Sequence, residues 1–319
     1  MRRWILRGVL LTLLLGCTGT EETEPRPGLY YWRTAWALDS AAVTELHTAG
    51  VRQLYVRLFD VDYDERRGEA VPRAPLTGRV QADGLSLTPV VYLVHRVFTP
   101  AVDVDRLARR LTATVDEQYR QLTGQPPPLR LQIDYDWTPG TRDAYFAFLR
   151  ELKQLRPERE LSVTVRLHQY RERHANGVPP ADRGTLMCYN IAPVQARATR
   201  NAIFDGALLR GYLKQQSPYP LALDVALPNF AWGAAFRGPR FLGIVPAPER
   251  SYLVEAATTL GDVYLRAGDE VRRDGPEPGE IREAVATLRE LPEFRELFFF
   301  DWQPDRPPVE PTLIRRYYE

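Results

Sequence analysis

Residues 129–155 read LRLQIDYDWTPGTRDAYFAFLRELKQL. An alternating segment, 129–136, ends in two aspartates and a tryptophan, and apolar residues at helical spacing follow it: Tyr145, Phe146, Phe148, Leu149, Leu152 and Leu155. A short strand followed by an amphipathic helix is one βα unit. Side chains alternate along a strand, so Leu131, Ile133 and Tyr135 share one face, and Gln132, Asp134 and Asp136 the other. The apolar face is expected to meet helices, and the polar face to look into the interior of a closed sheet.

The same alternation of strand and helix extends in both directions. Further strands are expected at 29–33, 53–59, 87–94, 161–168, 185–190, 221–227 and 297–301, with helices at 40–48, 104–122, 141–155, 204–215 and 278–291. Eight strands alternating with helices predict an α/β fold, a (β/α)8 TIM barrel forming a single domain over 28–319. Segments 64–79 and 233–245 are rich in Gly, Pro and Arg and read as loop or hairpin insertions after strands 2 and 7. An open doubly wound sheet is the other arrangement of such units. It is disfavoured because Trp32-Arg33-Thr34-Ala35-Trp36, not a Gly-rich phosphate loop, follows the first strand.

With 42 basic and 41 acidic residues the chain has no electrostatic footprint for a polyanion, and nucleic acid is not an expected partner. At the N-terminus, Arg2 and Arg3 precede an apolar run, 9–15, and then Gly16-Cys17. This is the layout of an export signal. Leu14-Leu15-Gly16-Cys17 resembles a bacterial lipobox, which implies cleavage before Cys17, lipidation of its thiol and a cell-envelope location, with 18–27 as a flexible tether. A plain secretory signal or a short membrane anchor is the alternative. Only Cys188 then remains, so no intrachain disulfide is expected, and a monomer is the default.

No cofactor and no zinc site is expected, since His168 and His174 lack a metal-binding spacing. A carboxylate-bound Ca²⁺ or Mg²⁺ near Asp60, Asp62 and Asp64 stays open, with a solvated loop as the default. No G-x-S-x-G elbow is present, and Cys188 sits in an apolar strand as a structural thiol.

Charged and polar side chains collect near the carboxyl ends of the expected strands, where barrel sites are built. Asp136, Asp134 and Tyr189 are the candidate catalytic residues; Arg57, Arg166, His168, Asn190 and Asp301 are candidates for binding. Trp32, Trp137, Trp232 and Trp302 offer flat faces near strand ends, and core packing is the competing role for each. Asp224, on the seventh strand, also interrupts an apolar run. A structural ion-pair network inside the barrel is the alternative account of these charges.

Ile133-Asp134-Tyr135-Asp136-Trp137 and its helix resemble the fourth βα unit of the chitinase-type glycoside hydrolases, family 18. The family motif D-x-x-D-x-D-x-E falls on Leu131, Asp134, Asp136 and Thr138. Leu186-Met187-Cys188-Tyr189-Asn190 is similar to the family's sixth-strand Met-x-Tyr-Asp, with Asn190 for the aspartate, and 225–232 follows its seventh strand. Tyr30-Tyr31-Trp32 and Arg166-Leu167-His168-Gln169 also resemble pieces of bacterial lipoproteins with glycosidase-like barrels. The resemblance implies a carbohydrate ligand, with Asp134, Asp136 and Tyr189 around an acetamido-like group. It also implies that the family's general acid is replaced by Thr138, which has no useful proton to give. Two functions are therefore expected: a tethered barrel that binds and hydrolyses a glycan using Asp136 with a second carboxylate, or a non-catalytic glycan-binding or structural envelope protein.

Overall fold

The computed structural model describes residues 27–99, 101–214, 218–291 and 294–304. Cys17 and the tether lie outside them. The chain runs β1 (Gly28–Tyr31), α1 (Ser40–Thr48), β2 (Gln53–Asp64), β3 (Glu69–Arg73), β4 (Ser86–Leu93), a 3-10 turn (His95–Phe98), α2 (Val104–Thr123), β5 (Arg130–Asp134), α3 (Arg142–Leu155), β6 (Glu160–Arg166), α4 (Leu167–Arg171), α5 (Arg173–Asn176), β7 (Arg183–Met187), α6 (Gly206–Leu213) and β8 (Leu223–Pro228). It continues through β9 (Trp232–Arg237), β10 (Arg240–Val245), β11 (Tyr252–Leu253), β12 (Thr258–Leu260), β13 (Val263–Leu265), β14 (Glu270–Asp274), α7 (Pro278–Arg289) and β15 (Phe294–Phe300).

Eight parallel strands close on themselves in the order β1, β2, β4, β5, β6, β7, β8, β15, with β15 back beside β1. This is the (β/α)8 barrel that the alternation of elements predicts. Local signals set the helix limits. Asp39, Asp103 and Asp205 accept hydrogen bonds from first-turn amides of α1, α2 and α6, which satisfies donors with no intrahelical partner. Gly124 ends α2 at φ 69°, a left-handed position that glycine adopts without strain.

The face assignment for β5 holds. Tyr135 packs on Tyr145 and Phe98 outside the barrel (ring centroids 4.8 and 5.1 Å). Gln132 lies inside, accepting from the Tyr30 hydroxyl at 2.7 Å and donating to Thr185 at 2.9 Å and Ser162 at 3.1 Å. Side chains from β1 across the barrel and from β6 and β7 thereby supply the partners that a buried amide requires.

Two additions depart from a bare barrel. β2 runs beyond the barrel and folds back as β3, an antiparallel hairpin. After β8, residues 232–274 form a four-stranded sheet, β10-β9-β14-β11, and a two-stranded one, β12-β13. This insertion is larger than the segment 233–245 expected from composition. It has its own small core, Ala235, Val245, Val254, Leu265 and Val271. It is tied to the loop after β7: buried Arg272 pairs with Asp274 and donates to the carbonyls of Ala196 (3.0 Å) and Val194 (3.1 Å).

Candidate functional site at the carboxyl ends of the strands

The register of the parallel strands brings Asp60 on β2, Tyr92 on β4 and Asp134 on β5 into one row. Asp134 is buried, 6% exposed, and accepts a hydrogen bond from the Thr164 hydroxyl on β6 at 2.7 Å. Burial, and then the neighbouring Asp136, push its carboxyl up to about 6, against the opposing pull of Thr164 and Arg166. Both causes disfavour the charged form.

Asp136 lies just past the end of β5, its side chain 45% exposed, and Arg166 at the end of β6 grips it through Nε and Nη2, both at 2.6 Å. The guanidinium fork matches the carboxylate, and the pair fixes both side chains. Gln169 holds the two loops together from beneath: its fully buried amide accepts from the Arg166 backbone at 2.7 Å and donates to the Trp137 carbonyl at 2.8 Å. Arg57, also buried, closes in the same two-pronged way on Asp60, at 2.8 and 2.6 Å.

Tyr189, just after β7, is buried, and its ring stacks on Phe300 at 4.9 Å. Burial raises its phenol well above the ordinary range, and nearby Tyr30 and Asp134 raise it further. The site thus gathers Asp134, Asp136, Arg166 and Tyr189, with Arg57 and Asp60 along the row. Tyr92 belongs to it although it lay hidden in the apolar run 87–94. Half-buried, its phenol is raised by burial and then by Asp134, Asp136 and Asp60.

Aromatic rings continue from Tyr92 across the barrel mouth. Tyr92 meets Trp32 edge-on (6.4 Å), Trp32 meets Phe300 (5.4 Å), Phe300 meets Phe230 (5.8 Å) and Phe230 meets Trp232 (5.4 Å). All five are only partly buried. They form a continuous ribbon from β4 to the first strand of the insertion, where the Trp232 indole donates to Asp274 at 3.3 Å.

Other expected residues stand elsewhere. Trp137 is 1% exposed; its indole donates to the Asn176 carbonyl at 2.9 Å and its face lies on Tyr145, so no face is left for a ligand. Strand parity already assigns it to the helix side with Tyr135. Trp302 is also buried, stacked on Tyr31 at 5.6 Å with Arg33 over its ring. His168, expected on a strand, is exposed on α4, because β6 stops at Arg166. Asn190 is exposed with φ 53°. Asp301 is buried and accepts from Gln303 at 2.7 Å. Asp224 lies at the opposite end of the barrel, fully buried, with Arg183 on both its oxygens. Thr138, at the start of the turn into α3, is exposed and shares a 3.3 Å contact with the Thr141 hydroxyl.

Asp60, Asp62 and Asp64 are each paired with an arginine, Arg57, Arg96 and Arg73 respectively. Among the described residues no group of three or more His, Cys, Asp or Glu is arranged to hold a metal ion. Cys188 is buried, and burial pushes its thiol far from a reactive form.

Compared by sequence, the chain matches no family model and no curated protein. Compared by structure, it is similar to a chitinase from Chromobacterium violaceum ATCC 12472, with a TM-score of 0.59 and 10% identity over 92% of this chain and 99% of that one. The spore cortex-lytic enzyme SleL of Bacillus cereus gives 0.57 and 14%, over 92% and 74% of the two chains. A chitinase from Rhizomucor miehei, RmChi1, gives 0.51 and 11%, over 92% and 98%. The barrel is glycosidase-like. At such low identity the likeness is one of fold, and the chemistry rests on the side chains described above.

Proposed function

We propose that the barrel is a carbohydrate-binding module of the cell envelope, with the glycan lying along the aromatic ribbon toward Asp134 and Asp136. The ribbon carries this reading: five contiguous, partly exposed rings at the carboxyl ends of barrel strands, beside a carboxylate pair, form a surface on which sugar rings stack. Isolated half-buried aromatics are ordinary, whereas a continuous row at the site end of a barrel is a binding feature.

Binding without cleavage is the preferred form. Thr138 stands where the resembled family has its acid, and Arg166 fixes Asp136 in a bidentate pair. One observation favours hydrolysis as a second reading. A carboxyl held at about 6, as in Asp134, is suited to give a proton near neutral pH. The lipobox-like segment at Cys17 supports attachment to the envelope through a lipid.

A glycan panel read by intrinsic tryptophan fluorescence, with mass spectrometry of the products, tests the reading. Binding with intact products supports the preferred form, and shortened products support the second. A panel with no bound glycan overturns both.

A further inference from the structure

Among the described residues, the charges at the barrel mouth do not cancel. Asp60 and Asp136 each have an arginine of their own, Arg57 and Arg166, held through two hydrogen bonds. Asp134 stands between these pairs with the Thr164 hydroxyl as its side-chain donor. The Tyr92 phenol feels three carboxylates, Asp134, Asp136 and Asp60, against one cation, Arg166. Beside this row the faces of Trp32 and Phe300 are only partly covered. Carboxylates and aromatic π-faces attract the same kind of group, a cation, and both act more strongly where water is partly excluded. A neutral amide substituent can donate its N–H to a carboxylate but gains no charge–charge attraction. Asp136 has room for such a partner, since a carboxylate offers about four acceptor positions and Arg166 occupies two.

Resting on the reading of the mouth as a glycan cleft, we propose that its ligand is an amino sugar bearing a free, protonated amine, with the ammonium toward Tyr92, Asp136 and Asp134 and the sugar ring against Trp32 and Phe300. The charged and titratable groups facing this position are Asp60 and Arg57 from β2, Tyr92 from β4, Asp134 and Asp136 from the end of β5, Arg166 from β6, Tyr189 after β7 and Tyr30 from β1. Among the described residues, Asp134 has no arginine paired with it as Asp60 and Asp136 do. Its carboxylate therefore adds directly to how strongly the cation is held.

The experiment is calorimetric titration of the full chain with a fully deacetylated chito-oligosaccharide and with its fully acetylated counterpart, at a pH where the amines are protonated. The deacetylated ligand should bind about tenfold more tightly. Asp134→Asn should erase the preference while melting no lower than the parent. Tyr92→Phe, which keeps the ring, should retain most of it. Equal binding, or tighter binding of the acetylated ligand, overturns the inference and leaves the glycan cleft standing. If neither oligosaccharide binds, the inference falls, and the broader glycan panel decides separately whether the cleft reading falls with it.

Discussion

The barrel interior holds two buried aspartates at opposite ends, and they are treated differently. At the floor, Asp224 is fully enclosed. Arg183 reaches both its oxygens, and the Glu296 amide donates to it at 3.2 Å. Nearby, Gln53 donates to the Glu296 carboxylate at 2.6 Å. At the mouth, Asp134 is nearly as buried yet has a single hydroxyl, and its neighbour Asp136 opens to solvent. Burial pushes both carboxyls up, Asp224 to about 7 against the pull of Arg183 and Asp134 to about 6, so what separates them is access. The one sealed under an arginine is a structural device, and the one beside an opening can be reached from outside.

The sharpest way to break this contrast is at the floor. Arg183→Met removes the partner and leaves Asp224 enclosed beside the Glu296 carboxylate with no cation between them, which drives its carboxyl further toward the protonated form. We expect a loss of about 3 kcal/mol or more in urea unfolding. Arg183→Met combined with Asp224→Leu should recover most of it, since replacing both members of a buried pair is far cheaper than removing one. If Arg183→Met alone costs under about 1 kcal/mol, the floor is not the sealed device described.

At the mouth, removing the charge itself is expected to stabilise the protein. The unfolded chain releases the Asp134 proton near 3.8, whereas the folded one holds it to about 6. The contribution to stability is therefore fully present below about pH 4, is lost as the pH rises to about 6, and stays lost above that. Asp134→Asn should flatten this slope and make the protein more stable at pH 7 by about 1–3 kcal/mol, in thermal melts recorded between pH 4 and pH 8. A destabilised variant would show that the Asp134 carboxylate is held by more than the Thr164 hydroxyl.

The ribbon offers a third comparison, with function as the readout. Trp32→Ala removes a partly exposed ring of the ribbon, whereas Trp302→Ala removes one enclosed against Tyr31. Trp32→Ala should weaken glycan binding about tenfold or more, with a smaller effect on melting temperature. Trp302→Ala should do the reverse, costing about 3–5 kcal/mol of stability as a large buried aromatic is truncated.

How much of this was legible in the sequence follows from which signals carry over distance. Period-two alternation placed Gln132, Asp134 and Asp136 on the inner face and the helix-facing set opposite them, because every barrel strand has one face to each layer. It failed at His168, since Leu167-His168-Gln169-Tyr170 continues an apolar alternation although the chain turns into a helix there, with the Gln169 side chain accepting from the Arg166 amide. Tyr92 was missed because it sits in an apolar run with no charge contrast, and only the strand register sets it beside two aspartates. The strands of the insertion beyond residue 245 were missed because they are two to five residues long, and several are exposed. Trp137 was misplaced by adjacency to Asp136, although the parity that placed the aspartates puts the indole on the helix side.

The smallest expected effect concerns Thr138. It is exposed, its hydroxyl makes one 3.3 Å contact, and its carbonyl, which any residue supplies, accepts the amides of Thr141 and Arg142 at 3.0 and 2.9 Å. Thr138→Glu should change stability by less than about 0.5 kcal/mol, with a slight gain from a carboxylate near the first turn of α3. Turnover on a glycan should not appear with that change alone. A proton donor is useful only if the neighbouring carboxylate can turn toward the substrate, and Arg166 holds Asp136 by both oxygens. Adding Arg166→Met to Thr138→Glu releases Asp136 without restoring a competing cation, so cleavage products in the double variant but not in either single one would identify the clamp, and not the missing acid alone, as what keeps this barrel a binder.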